Sequence, residues 1–390
     1  MPRRFKIATR LNGIRPSGIR RLFDLAQGVH DVISLGVGEP DFVPPPHVLD
    51  AAKQAMDKGK THYTPNTGIP ELREGLVKKA KLDYSLSYDP QSEVLVTAGG
   101  TEAIFLALAA LVNPGDEVLV PNPGFVCYEP NVFLAGGVPV SMPLLEKNDF
   151  KLNADVVMPL ITEKSRVMIV NSPNNPTGSV LSYNDMASLA KLAVERDLIV
   201  ISDEVYEKIL YDNVKHYCLA TFPEMRNRTI VVNSFSKTYA MTGFRVGYTL
   251  GPEELIAPMV KAHQYVTACV SGPSQYAAVA ALEGPQDFVE NMVREFDRRR
   301  RLLDSRLNEI EGFRCILPKG AFYAFANIGG FRMSSERVAE DLFDKAKVVT
   351  VGGSSFGKYG EGYVRFSFAT EYARIEEALN RIERVVKKRA

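Results

Sequence analysis

Short β-branched runs alternate with helical patterns through the middle of this chain, and that alternation limits what it can fold into. "EVLVTA" (93–98), "EVLV" (117–120), "RVMIV" (166–170), "LIVIS" (198–202) and "TIVVNS" (229–234) read as strands. "TEAIFLALAALV" (101–112), the stretch 126–135 and "YNDMASLAKLAVERD" (183–197) read as helices between them. Strands this apolar have no polar face to offer water. They belong in a mostly parallel sheet with helices on both faces, so the expected fold class is α/β. The last hundred residues change character. "QDFVENMVREFDRRRRLLDSRLNEI" (286–310) is a long charged amphipathic helix. Short strands follow at "AFYAFA" (321–326), "KVVTV" (347–351) and "YVRFSFA" (363–369), then a charged closing helix. This predicts a large domain over 46–285 and a smaller α+β domain over 286–390, joined by an N-terminal segment over 1–45.

Composition narrows the partners. The chain has 390 residues, 45% of them hydrophobic, which is ample for two cores. Forty-seven basic residues against 46 acidic ones leave a formal charge of +1. That balance gives no reason to expect nucleic acid or a membrane surface as partner. Cys127, Cys218, Cys269 and Cys315 lie far apart, with no CxxC pair and no metal-ligand spacing. They read as reduced thiols of a cytoplasmic protein. The first residues, "MPRRFKIATRLNG", are basic without the apolar run of a signal peptide.

Chemistry is expected at the carboxyl ends of the strands, where open α/β sheets bind ligands. "TAGGTEA" passes from a strand through Gly99 and Gly100 into a helix. Backbone amides and a helix N-terminus there can hold an anion, although a plain strand–helix turn capped by Thr101 has the same pattern. "LIVISDEVYEKI" ends an apolar run in Asp203. An acid in that place can pair with a cationic ring nitrogen or cap a helix, and Tyr206 lies near the same face if a turn begins there. "NSPNNPTG" (171–178) is either a simple loop or a source of asparagine amides for a ligand oxygen. "SFSKTYAMTGFRVGY" (234–248) places Ser234, Ser236, Lys237 and Arg245 together after a strand. Hydroxyls and a guanidinium suit a phosphate, and a desolvated lysine near another cation is a nucleophile. Lys237 taken alone reads first as an exposed lysine.

Taken in order, these segments resemble the class I/II aminotransferases, the fold-type I enzymes that use pyridoxal 5′-phosphate (PLP). "LGVGEPDF", "HYTPNTGIPELR", "NSPNNPTG", "SDEVYEK", "SFSKTYAMTGFRVGY" and "YVRFSFA" follow in the family's sequence nearly end to end. The likeness is greatest to archaeal aspartate and aromatic amino-acid aminotransferases. It implies that Lys237 joins PLP through an imine and then serves as general acid–base. Asp203 would pair with the pyridine nitrogen, and Tyr206 and Asn175 with the ring's phenolic oxygen. Phe125 would stack on the ring. Gly100, Thr101, Ser234, Ser236 and Arg245 would hold the phosphate, with Tyr63 reaching it from the neighbouring subunit of a homodimer. Gly38, Asn175 and Arg365 would contact the substrate, Arg365 gripping its α-carboxylate. Some members place a histidine beside the pyridine's acidic partner. The matching stretch around Cys127 and Tyr128 carries none, which leaves that contact without a candidate.

The resemblance implies ping-pong transfer from an L-amino acid, aromatic or aspartate-like and of broad range, to a 2-oxo acid such as 2-oxoglutarate. A PLP-dependent lyase or decarboxylase on the same fold would use the same lysine. A non-catalytic regulator built on such a domain would carry an added DNA-binding domain, for which a match beginning by about residue 30 is expected to leave no room. A nucleotide-binding α/β protein would need GxGxxG or GxxxxGK[ST], and neither stands at the "TAGGTEA" turn.

Overall fold

The computed structural model describes residues 8–14, 18 and 29–388. Parts of the expected N-terminal segment over 1–45, and residues 389 and 390, lie outside the described residues.

The strands are β1 (Ile33–Ser34), β2 (Val94–Thr97), β3 (Glu117–Asn122), β4 (Val138–Pro143), β5 (Ser165–Asn171), β6 (Ile199–Asp203), β7 (Thr229–Ser234), β8 (Gly247–Leu250), β9 (Tyr323–Asn327), β10 (Val348–Val349), β11 (Val351–Gly352) and β12 (Tyr363–Ser367). The longer helices are α1 (Pro46–Asp57), α2 (Pro70–Tyr84), α3 (Gly100–Leu111), α4 (Tyr128–Ala135), α5 (Tyr183–Glu195), α6 (Glu253–Val266), α7 (Gly272–Glu283), α8 (Asp287–Glu309), α9 (Ser335–Ala346) and α10 (Tyr372–Lys387).

The main sheet has seven strands in the order β2-β8-β7-β6-β5-β3-β4. The five strands from β7 to β4 pair in parallel, and β8 runs antiparallel between β2 and β7. Every residue of β7 is buried, as a sheet covered on both faces requires. One face packs on Ile104, Leu108, Ile256 and Met259 of α3 and α6. The other packs on Met186, Leu189 and Leu192 of α5. Each such side chain contributes about 1.5–3 kcal/mol by leaving water. Ser182 starts α5 with a reciprocal capping box to Asp185, and proline opens α1 and α2 where no intrahelical N–H is needed.

A second core joins Met292, Phe296 and Leu303 of α8 to Phe322, Phe366 and Leu379. Its three-stranded sheet has the order β11-β12-β9. The run "KVVTV", expected as one strand over 347–351, divides at Thr350. Val348 and Val349 pair in parallel with Ile33 and Ser34, whereas Val351 and Gly352 pair with β12. The two halves belong to different sheets, so the run forms two short strands and not one.

Candidate active site

The ends of neighbouring strands meet at one crevice. Asn171, Asp203 and Ser234 are the last residues of β5, β6 and β7. Asn171 lies in register with Asp203 and donates from Nδ2 to its carbonyl at 3.0 Å. Asn171 Oδ1 accepts the Asn175 amide at 3.0 Å, which fixes the loop after β5. No helix follows Asp203, so the capping alternative does not apply there.

The glycine turn and Arg245 are built against each other. Gly247 of β8 is the register partner of both Thr97 and Ser234. A Cβ on Gly247 would sit 2.6 Å from the Gly99 carbonyl carbon, so only glycine lets the β8 backbone approach this turn. Gly99 has φ +88°, and a Cβ there would lie 2.5 Å from Arg245 Nη2. Gly99, not Thr101, is the N-cap residue of α3, which leaves the Gly100 and Thr101 backbone beside the cavity. Arg245 donates from Nη1 to Thr242 O at 3.0 Å and from Nη2 to Ala98 O at 3.3 Å. Ser234 Oγ donates to Ser236 Oγ at 2.9 Å and accepts the Ser236 amide at 3.1 Å. That bond starts the single helical turn Phe235–Thr238, which carries Lys237.

Lys237 Nζ donates to Gly38 O at 2.6 Å. Burial lowers its pKa to about 8; Glu39 opposes this, and the Arg245 and Arg365 charges add to it. Asp203 is fully buried, and burial pushes its carboxyl up to about 6. Tyr128 donates to Asp203 Oδ2 at 2.6 Å and holds that pKa down. So the stretch without a histidine supplies a phenol instead. Tyr206 and Tyr323 share a 2.9 Å hydroxyl bond. Burial, first, and the neighbouring hydroxyl raise the Tyr206 pKa.

Arg365 lies in the middle of β12, 1% exposed. Its Nη1 donates to Asn175 Oδ1 at 2.9 Å and its Nη2 to Gly36 O at 2.6 Å. The guanidinium stands 4.3 Å from the Tyr323 ring centre and 4.8 Å from that of Phe356. Its buried Nε has no hydrogen-bond partner among the described residues.

These groups line one cavity of about 530 Å³. Gly38, Gly100, Thr101, Phe125, Asn175, Asp203, Tyr206, Ser234, Ser236, Lys237, Arg245 and Arg365 all face it. Tyr63 does not; it sits between α1 and α2 and is 91% exposed. Tyr128, Asn171, Tyr323 and Glu39 also line the cavity and were not singled out from the sequence as site residues. Asn171 could have been, since it ends a strand within a quoted motif. Tyr323 offered no such signal, because its strand reads as core.

The cavity gathers a desolvated lysine, a buried acid, a hydroxyl-rich turn and a buried arginine, groups suited to an anionic ligand. The family model for aminotransferases of class I and II matches residues 30–382. An aspartate aminotransferase of Pyrococcus abyssi is 49% identical over 98% of this chain and 99% of its own length. The aromatic-amino-acid aminotransferase 2 of Thermococcus litoralis is 47% identical over 98% and 99%. The crystal structure of an aromatic aminotransferase from Pyrococcus horikoshii superposes with a TM-score of 0.90 at 47% identity, covering 95% of this chain and 99% of that one. The chain belongs to the class I and II aminotransferases, and it is a transaminase.

Proposed function

We propose that this aminotransferase holds PLP in the cavity around Lys237 and moves an amino group from an L-amino acid to a 2-oxo acid by a ping-pong route. The observation that carries the reading is the meeting of Lys237, Asp203, Arg365, Gly100 and Arg245 around one cavity. The residues fit the cofactor. A carboxylate raised by burial suits a pyridinium nitrogen, which would restore its charge. Hydroxyls, a guanidinium and a helix N-terminus suit a phosphate dianion. The orphaned Arg365 Nε suits an incoming carboxylate.

Ser234, Ser236, Arg245, Gly100 and Thr101 would hold the phosphate, with Tyr63 contributed by the partner subunit. Asp203 would take the ring nitrogen, Asn175 and Tyr206 the ring hydroxyl, and Phe125 the ring face. When bound, PLP supplies an aldehyde that captures amines and a protonated ring that draws electrons from Cα. Arg365 holds the substrate α-carboxylate beside Gly38, its plane set by Asn175 and the Gly36 carbonyl. Lys237 is the covalent attachment point. Once a substrate amine had taken its place, Lys237 Nζ would be free to take the Cα proton and deliver it to the carbon that had been the aldehyde, two bonds from Cα. A pKa of about 8 keeps a useful fraction of that amine unprotonated near neutral pH.

We place the enzyme in the cytoplasm as a homodimer, with residues 46–285 as the PLP-binding domain, 286–390 as the small domain and 1–45 joining the latter. Among the described residues no helix is long and apolar enough to cross a membrane. The donor is aromatic or aspartate-like, which rests on the 47–49% identity to relatives named for both donor classes. The acceptor is a 2-oxo acid such as 2-oxoglutarate. A panel of twenty amino acids against 2-oxoglutarate assigns the donor. Lys237→Ala tests the attachment point: it should abolish turnover and any borohydride-reducible bond between PLP and protein. A reducible bond that persists in the variant removes Lys237 from the mechanism.

A further inference from the structure

Ala98 is held at both ends. Its carbonyl accepts Arg245 Nη2 at 3.3 Å, and its N–H donates to Glu102 Oε2, four residues ahead in the first turn of α3. The other oxygen, Glu102 Oε1, accepts the Thr267 hydroxyl and His263 Nδ1, the latter at 3.1 Å. Nδ1 faces a carboxylate and so carries the proton. His263 is wholly buried on α6 and Thr267 follows that helix directly, so the acid is anchored to a different element from the one it sits on. His263 Nε2 is buried without a hydrogen-bond partner among the described residues. Burial would raise the Glu102 pKa, and the bonds from His263, Thr267 and Ala98 outweigh it and lower it.

The arrangement settles a conflict. A carboxylate in the first turn of α3 stands close to the place where a phosphate dianion would bind, and two anions there repel. Turning Glu102 back onto Ala98 and α6 spends its charge on three donors. It also occupies the Ala98 amide, while the Gly100 and Thr101 backbone stays beside the cavity.

We propose that Glu102, anchored by His263 and Thr267, is a positioning residue that fixes the Ala98–Gly100 turn and, through the Ala98 carbonyl, the Arg245 guanidinium for the cofactor phosphate. This rests on the reading of the cavity as a PLP site. It assigns to Glu102 and the end of α6 control of phosphate affinity without contact with the phosphate.

The test compares PLP with pyridoxal, which lacks only the phosphate, in fluorescence titrations of cofactor-free protein. Wild type should bind PLP far more tightly than pyridoxal; equal affinities would overturn the phosphate cup itself. Glu102→Ala should weaken PLP ~10- to 100-fold, as expected for hydrogen bonds to a charged group, and leave pyridoxal within about twofold. Thr267→Val, nearly isosteric and gentler on folding, should weaken PLP by a smaller factor in the same direction. Inorganic phosphate should compete with PLP less well in both variants. An unchanged ratio of PLP to pyridoxal affinity in either variant overturns the proposal. So does an equal loss for both ligands, because the acid would then only support the fold.

Discussion

Tyr128 decides how strongly Asp203 holds its charge. The carboxylate is buried, its pKa is pushed up to about 6, and the 2.6 Å bond from the Tyr128 hydroxyl works against that rise. As pH falls through about 6, Asp203 gains a proton and can no longer pair with a pyridinium. PLP affinity should therefore fall on the acid side. Tyr128→Phe removes a stabiliser of the ionised form, so the Asp203 pKa rises further and the loss begins at higher pH. A bond to a charged group is worth about 1.5–3 kcal/mol, so the midpoint should move up by ~1–2 pH units. Titrating PLP into both proteins between pH 5 and 8 checks this; superimposable profiles would remove Tyr128 from the account. Lys237, Asp203 and Arg365 could be singled out in the sequence because each lies within a quoted segment at or beside a strand. Tyr128 could not, since its hydroxyl reaches an acid 75 residues away only once β3 and β6 share a sheet. The Tyr206–Tyr323 bond spans 117 residues and forms only once β9 of the smaller sheet lies against the loop after β6.

The legible strands are those that the sheet buries on both faces, where an unbroken β-branched run leaves a mark. β8 left little mark. It is four residues long, begins with glycine and runs antiparallel beside the edge strand, yet it brings Gly247 against the turn that Arg245 grips. The division of "KVVTV" was hidden because nothing in a lysine followed by four β-branched residues says that two different sheets claim them. The Gly99 turn carries its own prediction. A side chain at φ +88° and ψ 166° is in a region that essentially only glycine occupies, at a cost of about 1–3 kcal/mol. The new Cβ also meets Arg245 Nη2 at 2.5 Å, so either the turn or the arginine must move. Gly99→Ala should fold with a lower melting temperature and bind PLP at least ~10-fold more weakly, a 1.4 kcal/mol loss. Wild-type PLP affinity in that variant would mean that Arg245 does not hold the phosphate.

At the scale of the whole molecule, Tyr63 stands 91% exposed, away from its own chain's cavity, and its reach across a dimer is our proposal. The loop around it is firmly placed. Thr64 donates to Val270 O at 3.3 Å, and Gln275 Nε2 donates to Thr64 Oγ1 at 2.9 Å. A phenol held out on such a loop can complete a phosphate cup in a second copy. A heterodimer of one Lys237→Ala chain and one Tyr63→Phe chain, purified on two tags, separates the cases. If Tyr63 acts across the interface, the Tyr63→Phe chain keeps its lysine, receives an intact tyrosine and binds PLP with normal affinity. If that site instead shows the weakened affinity of the Tyr63→Phe homodimer, each chain uses its own tyrosine.

The central claim is that Lys237, Asp203 and Arg365 make one site for reversible amino transfer through PLP. Single-turnover mixing of PLP-loaded protein with an L-amino acid, with no oxo acid present, tests it most directly. The account predicts one equivalent of pyridoxamine phosphate and one of the matching 2-oxo acid per site, with the aldehyde form restored on adding 2-oxoglutarate. Consumption of the amino acid while the cofactor stays in its aldehyde form would contradict it and make the chain a lyase or decarboxylase.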